Sequence, residues 1–182
     1  MIGQTGWASL RSKESELQAF FQTPLRAEEA IWGVWLAFFG GALLGYISSF
    51  GGLEEFFKHH PDMAFKMEPG MYRLFDFATW ARDSMRVLKG NLLIFALFSL
   101  LALRYPRLAF YGLSALAAKT GLMAAPYNQV VMNLIPYTLI MVVTGLGEMA
   151  AYALSVSKRW LTGALLLFAW AWLETYLIYW GL

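Results

Sequence analysis

The chain has 182 residues, 59% hydrophobic and only 14% charged, whereas soluble domains carry about 25% charged residues; a water-soluble protein of this size cannot hide so much apolar surface. The formal net charge of +2 is too small to mark a nucleic-acid binder. The absence of cysteine removes thiolate nucleophiles, thiolate metal ligands and disulfides together.

The charges are also segregated. None falls in 30–53, 90–103, 120–147, 149–157 or 160–173. A helix needs roughly 20 apolar residues to cross a hydrocarbon layer of ~30 Å. The pattern therefore predicts an all-α, polytopic membrane helix bundle of about five transmembrane helices, in one membrane domain over 1–182. An N-terminal and a mid-chain amphipathic helix accompany the spans. The lipid bilayer is its first partner.

Residues 1–29 form an N-terminal interfacial segment. They hold no signal-peptide core, and the apolar run that follows is long and lacks an A-x-A site, so no cleaved leader is expected. Within SKESELQAFFQTPLRAEEA, Leu17, Phe20 and Phe21 share one helical side until Pro24 interrupts. The first span is 30–50, with Trp32 and Trp35 near its start as an aromatic belt. Gly41 and Gly45 make a G-x-x-x-G there, the spacing that lets a second helix approach.

Residues 51–86 form the extramembrane segment, with turns at GG and HHPD. In 71–88, Met71, Leu74, Phe75, Ala78, Ala81, Met85 and Leu88 recur at helical spacing, which predicts an amphipathic helix feeding into the second span at 87–103. RYPR turns the chain into a third span at 108–125, and PYNQ into a fourth at 129–156, kinked by Pro136. SKR turns it into the fifth, 160–181, closed by Tyr176, Tyr179 and Trp180.

RYPR, SKR and the N-terminal Arg11, Lys13 and Arg26 fall on one side of this arrangement. Short basic loops stay cytoplasmic, which puts the N-terminus inside, the C-terminus outside, and the molecule in the cell membrane. The 51–89 segment then lies outside, despite six basic residues beside its six acidic ones.

Three ionisable residues lie within spans: Lys119, Glu148 and Glu174. At ~1.5 Å per residue they sit ~18, ~15 and ~22 Å from the basic turns, in one layer. A charge at the bilayer centre costs at least ~2.5 to 3.5 kcal/mol, so the three are expected to pair inside the bundle. Such a cluster either clasps the helices together or lines a path for a solute or proton; otherwise the charges are unrelated, with Lys119 snorkelling outward and Glu174 only two turns from the C-terminus. Thr144 and Tyr152 flank Glu148 one turn either side, and Gly145 and Gly147 offer a surface for close helix packing. Asn128, Gln129 and Asn133 gather at the outer end of the same span, and Asn91 opens the second.

Adjacent His59 and His60 with Asp62 lack a third ligand at metal spacing, so no metal is expected. No G-x-S-x-G, H-E-x-x-H or phosphate-binding loop occurs. Neither an enzyme nor a cofactor is predicted.

The order of elements carries a resemblance. WLAFFGGALLGYISSF, the junction ARDSMRVLKGNLLIFALFSL, and NLIPYTLIMVVTGLGEMAAYALS followed by SKRW resemble the stage II sporulation protein M family in layout from about residue 30 onward, with Asn91, Pro136 and Glu148 as the matching positions. In many members the Pro is followed by His and Gly with a Glu soon after. Here Tyr137 and Thr138 follow, and Glu148 comes twelve residues after Pro136. The resemblance implies a small multi-pass scaffold without catalysis of its own, one that holds peptidoglycan-degrading enzymes together; some relatives have been compared to transport permeases. The expected role is a scaffold or partner subunit of a cell-envelope complex, with protein partners or copies of itself. The alternative is a permease-like subunit whose Lys119, Glu148 and Glu174 form a polar path.

Overall fold

The computed structural model describes residues 4–49, 76–130 and 134–180. They form six helices: α1 (Gln4–Gln22), α2 (Ala27–Ser49), α3 (Phe77–Arg104), α4 (Pro106–Val130), α5 (Leu134–Val156) and α6 (Trp160–Trp180). Stretches of α2, α3 and α6 are long and apolar enough to cross a membrane, where the charge pattern predicts five such spans. Their outward faces suit lipid: Leu93 is 74% exposed and Leu161 76%, a surface that water would not tolerate in quantity.

Local sequence explains most of the helix ends. Pro24 cannot extend α1, and Glu28 and Glu29 favour the positive end of α2. Asp76 caps α3 by accepting from the Ala78 and Thr79 amides and the Thr79 hydroxyl. Those bonds, the Thr79 hydroxyl's foremost, hold its carboxyl below the usual carboxylate range. From Phe77 onward the amphipathic segment and the second span are thus one continuous helix, while Met71, Leu74 and Phe75 lie outside the described residues. Its buried stripe is Ser84, Leu88, Phe95, Phe98 and Ala102, while Met85, on the predicted apolar face, is 51% exposed. The inward stripe is set by the neighbours that α3 packs against, chiefly α6 and α5, so it cuts across the predicted face and takes in Leu88 but not Met85.

A further boundary differs from expectation: PYNQ is not a turn, because α4 continues through it to Val130. Pro136 falls in the first described turn of α5, and the residues just before it, 131–133, lie outside the described ones.

At SKR, the Arg159 amide reaches the Leu154 carbonyl at 2.9 Å and the Lys158 amide the Ser155 carbonyl at 3.2 Å. This paired closure places Lys158 in the left-handed region, with φ of 64°. A side chain there costs about 1 kcal/mol or more. Lys158→Gly is expected to stabilise the protein by about 0.5 to 1 kcal/mol, read as a raised midpoint in SDS titration.

The helices alternate in direction. Gly33 faces Phe110 and Gly41 faces Ala118, so α2 and α4 run parallel. Trp35 meets Leu146 and Phe38 meets Gly145, so α5 runs against α2. Trp80 meets Thr175 and Phe95 meets Gly163, so α6 runs against α3. Val34, Phe38, Leu113, Ala117, Tyr152 and Leu167 lie in the shared core. α1 docks at the start of α4, where Phe20 stacks on Tyr111 and the Arg107 guanidinium lies 4.3 Å over the Phe20 ring.

Candidate functional site

Three helices bring polar side chains together inside the bundle. Asn91 occupies the inward stripe of α3, between Leu88 and Phe95, and its amide donates to the Glu148 carboxyl on α5. Glu148 in turn faces Glu174 of α6 within hydrogen-bonding reach. Ionised carboxylates only accept, so a bond between these two requires a proton between them. Tyr152, one turn beyond Glu148 and 2% exposed, lies within electrostatic range of both. The second oxygen of Glu174, Oε2, is buried without a partner among the described residues.

Small residues make this approach possible. A side chain at Gly147 would collide with the Trp170 indole, and one at Gly163 would meet the Phe95 ring and the Ala151 carbonyl. Gly145 similarly leaves room for the Phe38 ring. Nearby, Trp35 Nε1 donates to the Leu146 carbonyl at 2.9 Å, tying α2 to α5 just before Glu148.

Lys119 is not part of the cluster. It is exposed, and no ion pair joins it to either glutamate among the described residues. The stripe by which α4 enters the core is Ala109, Leu113, Ala117 and Gly121. Lys119 lies two positions from Ala117 and two from Gly121, about 200° around the helix, so it points outward. Depth along an axis says nothing of azimuth, and Asn91 supplies the neutral donor where a cation was expected.

Of the other predicted polar positions, the side chains of Thr144, Asn128 and Gln129 lie outside the described ones. So do residue Asn133 and the His59, His60 and Asp62 group. Gly41 is packed directly on α4, and Gly45 is buried on the same helix.

One polar group escapes sequence reasoning. Trp80 Nε1 donates to Thr175 Oγ1 at 3.1 Å and approaches the Trp172 carbonyl at 3.3 Å, while the Ser84 and Thr175 hydroxyls bond each other. Thr175 also donates to the Ala171 carbonyl at 2.8 Å. Ser84 and Thr175 are 0% and 3% exposed. The signal was present: Trp80, Ser84 and Asn91 share one helical stripe, which puts all three toward the same neighbour. Thr175→Val keeps the volume but removes the shared hydroxyl, and is expected to lower stability by about 1 to 2 kcal/mol in SDS titration.

The arrangement is a ladder of uncharged and carboxyl groups running along α3 and α6, with Glu148 of α5 at its inner end. It binds helix to helix, and it leaves one carboxyl oxygen unfilled. No protein-family model, curated protein or solved structure matches the chain.

Proposed function

We propose that this chain is a non-enzymatic integral membrane protein that scaffolds or partners a cell-envelope complex, as its resemblance to the stage II sporulation protein M family implies. The observation that supports this best is the use of the in-span polar groups. Asn91 donates to Glu148, and Glu148 lies beside Glu174, so the three link α3, α5 and α6, which suits a rigid platform. In this reading α4 and α5 are spans as well, because they pack alongside α2, α3 and α6 in alternating direction. Arg104, Arg107, Lys158 and Arg159 then crowd the cytoplasmic end, with the N-terminus inside and the C-terminus outside.

The docking surface in this reading is the outer end of α3 with the polar segment before it. Arg82 there has a side chain 69% exposed, 3.6 Å from Asp83. A photo-crosslinking residue at position 82 is expected to give adducts with a cell-wall hydrolase in intact cells. The same residue at Leu97, on the lipid-facing side of α3, is expected to give none. Adducts with a transport ATPase subunit would instead favour the second reading.

That second reading, a permease-like subunit, draws on the buried, unpartnered Oε2 of Glu174. It predicts cation- or proton-coupled flux in proteoliposomes that is lost in Glu174→Gln. Equal flux in that variant would refute it.

A further inference from the structure

We propose that the outward face of α4 around Lys119 docks the transmembrane helix of a partner protein, one that carries a carboxylate at the depth of Lys119. This rests on the reading of the chain as an interaction protein of the membrane and names the chemistry of the partner.

The depth of Lys119 follows from its neighbour. Ala118 meets Gly41 of α2, and Gly41 lies inside the apolar stretch Ala27–Gly45. Gly41 is eight residues before Ser49, so Lys119 lies ~12 Å from that end of α2. A lysine in hydrocarbon costs at least ~2.5 kcal/mol unless it reaches water or a counter-charge. Snorkelling to the near interface is disfavoured by direction. Side chains on a helix lean toward its N-terminus, and the N-terminus of α4 is at the far, basic end of the bundle. Lys119 therefore leans toward the membrane centre, away from the nearer headgroups.

The chain itself offers no described counter-charge. Its in-span carboxylates, Glu148 and Glu174, face each other between α3, α5 and α6, while Lys119 points away from the core. A second copy presents the same buried carboxylates and so does not supply the missing charge. On the same side Ala115 is exposed one turn before Lys119, with Leu108 and Leu122 exposed above and below it. A partner helix thus meets an apolar face with one small residue beside the ammonium, where its backbone can come close.

The test uses the full chain, donor-labelled, in vesicles of neutral phosphatidylcholine, with acceptor-labelled polyleucine transmembrane peptides. One peptide carries a single central Glu, one a Gln and one only Leu. Energy transfer is expected to show the Glu peptide associating about tenfold more tightly than the Leu peptide, the equivalent of about 1.4 kcal/mol. Lys119→Met is expected to abolish the difference, and Lys119→Arg to preserve it. Equal binding of all three peptides, or a Glu preference that survives Lys119→Met, overturns the proposal. Lys119-dependent transfer between two labelled copies overturns it in favour of self-association. The assay contains no envelope complex, so its failure and the failure of crosslinking at position 82 are separately visible.

Discussion

Glu148→Ala is expected to lower the stability of the bundle by about 3 kcal/mol, whereas Glu148→Gln is expected to stay within about 1 kcal/mol of the parent. The alanine removes the acceptor of the Asn91 amide and the partner of the Glu174 carboxyl at once. Two polar groups then lie beside a cavity, and each unsatisfied group costs about 1 to 3 kcal/mol. Glutamine has nearly the same shape. Its carbonyl can accept from Asn91 and its amide can donate to the neighbouring Glu174 carboxyl, so the contacts survive the loss of the acid. A double-mutant cycle of Asn91→Ala with Glu148→Ala separates this bond from general packing. The expected coupling is about 1 to 2 kcal/mol in SDS titration. Additive losses would mean that the two side chains touch without supporting each other.

The second large effect concerns the contact of α2 with α4. A Cβ at Gly41 would strike the Ala118 carbonyl, and one at Gly121 would strike the Phe38 carbonyl and crowd the Ala42 amide. These obstacles are backbone, so they cannot rotate away as a ring can. The helices must separate, and the apolar contacts above and below, Val34, Phe38, Leu113 and Ala117, loosen with them. Gly41→Ala and Gly121→Ala are each expected to destabilise by about 2 to 3 kcal/mol. The pair should cost less than the sum, because one separation relieves both collisions. Gly40 meets nothing at the same position, so Gly40→Ala serves as the control and is expected to be neutral. A loss at position 40 equal to that at 41 would assign the effect to glycine composition rather than to close approach.

How much of this was legible beforehand depends on the kind of signal. The spacing of Leu17, Phe20 and Phe21 and the stop at Pro24 anticipated α1, because helix termination is local chemistry. PYNQ misled for the opposite reason. A proline and two polar residues read as a turn, yet α4 runs through them to Val130, since local preference is only a weak guide to where a helix ends. The pattern over 71–88 marks an apolar side of α3 but not which neighbour meets it: on that side Leu88 is buried and Met85 exposed, and Ser84 and Asn91 lie on the inward stripe with Leu88 and Phe95.

The candidate site divides the same way. Composition alone marked Glu148 and Glu174 as exceptional, since a carboxylate in an apolar run demands a partner wherever the helix lies. Depth arithmetic placed them with Lys119 because rise per residue is fixed. What it omits is rotation about each axis and the order of helices around the bundle.

The sequence by itself therefore determined that this is a helical, membrane-adapted chain, where its charges lie along each helix, and that its apolar runs contain groups needing partners. These follow from transfer free energies and backbone geometry, which act residue by residue. Only the tertiary structure decided which groups meet. Asn91 reaches Glu148 and Glu148 faces Glu174, while Lys119 turns outward. Those choices depend on helix azimuth and neighbour order, which arise from close packing at Gly41, Gly121 and Gly147 and leave no periodic trace in the chain.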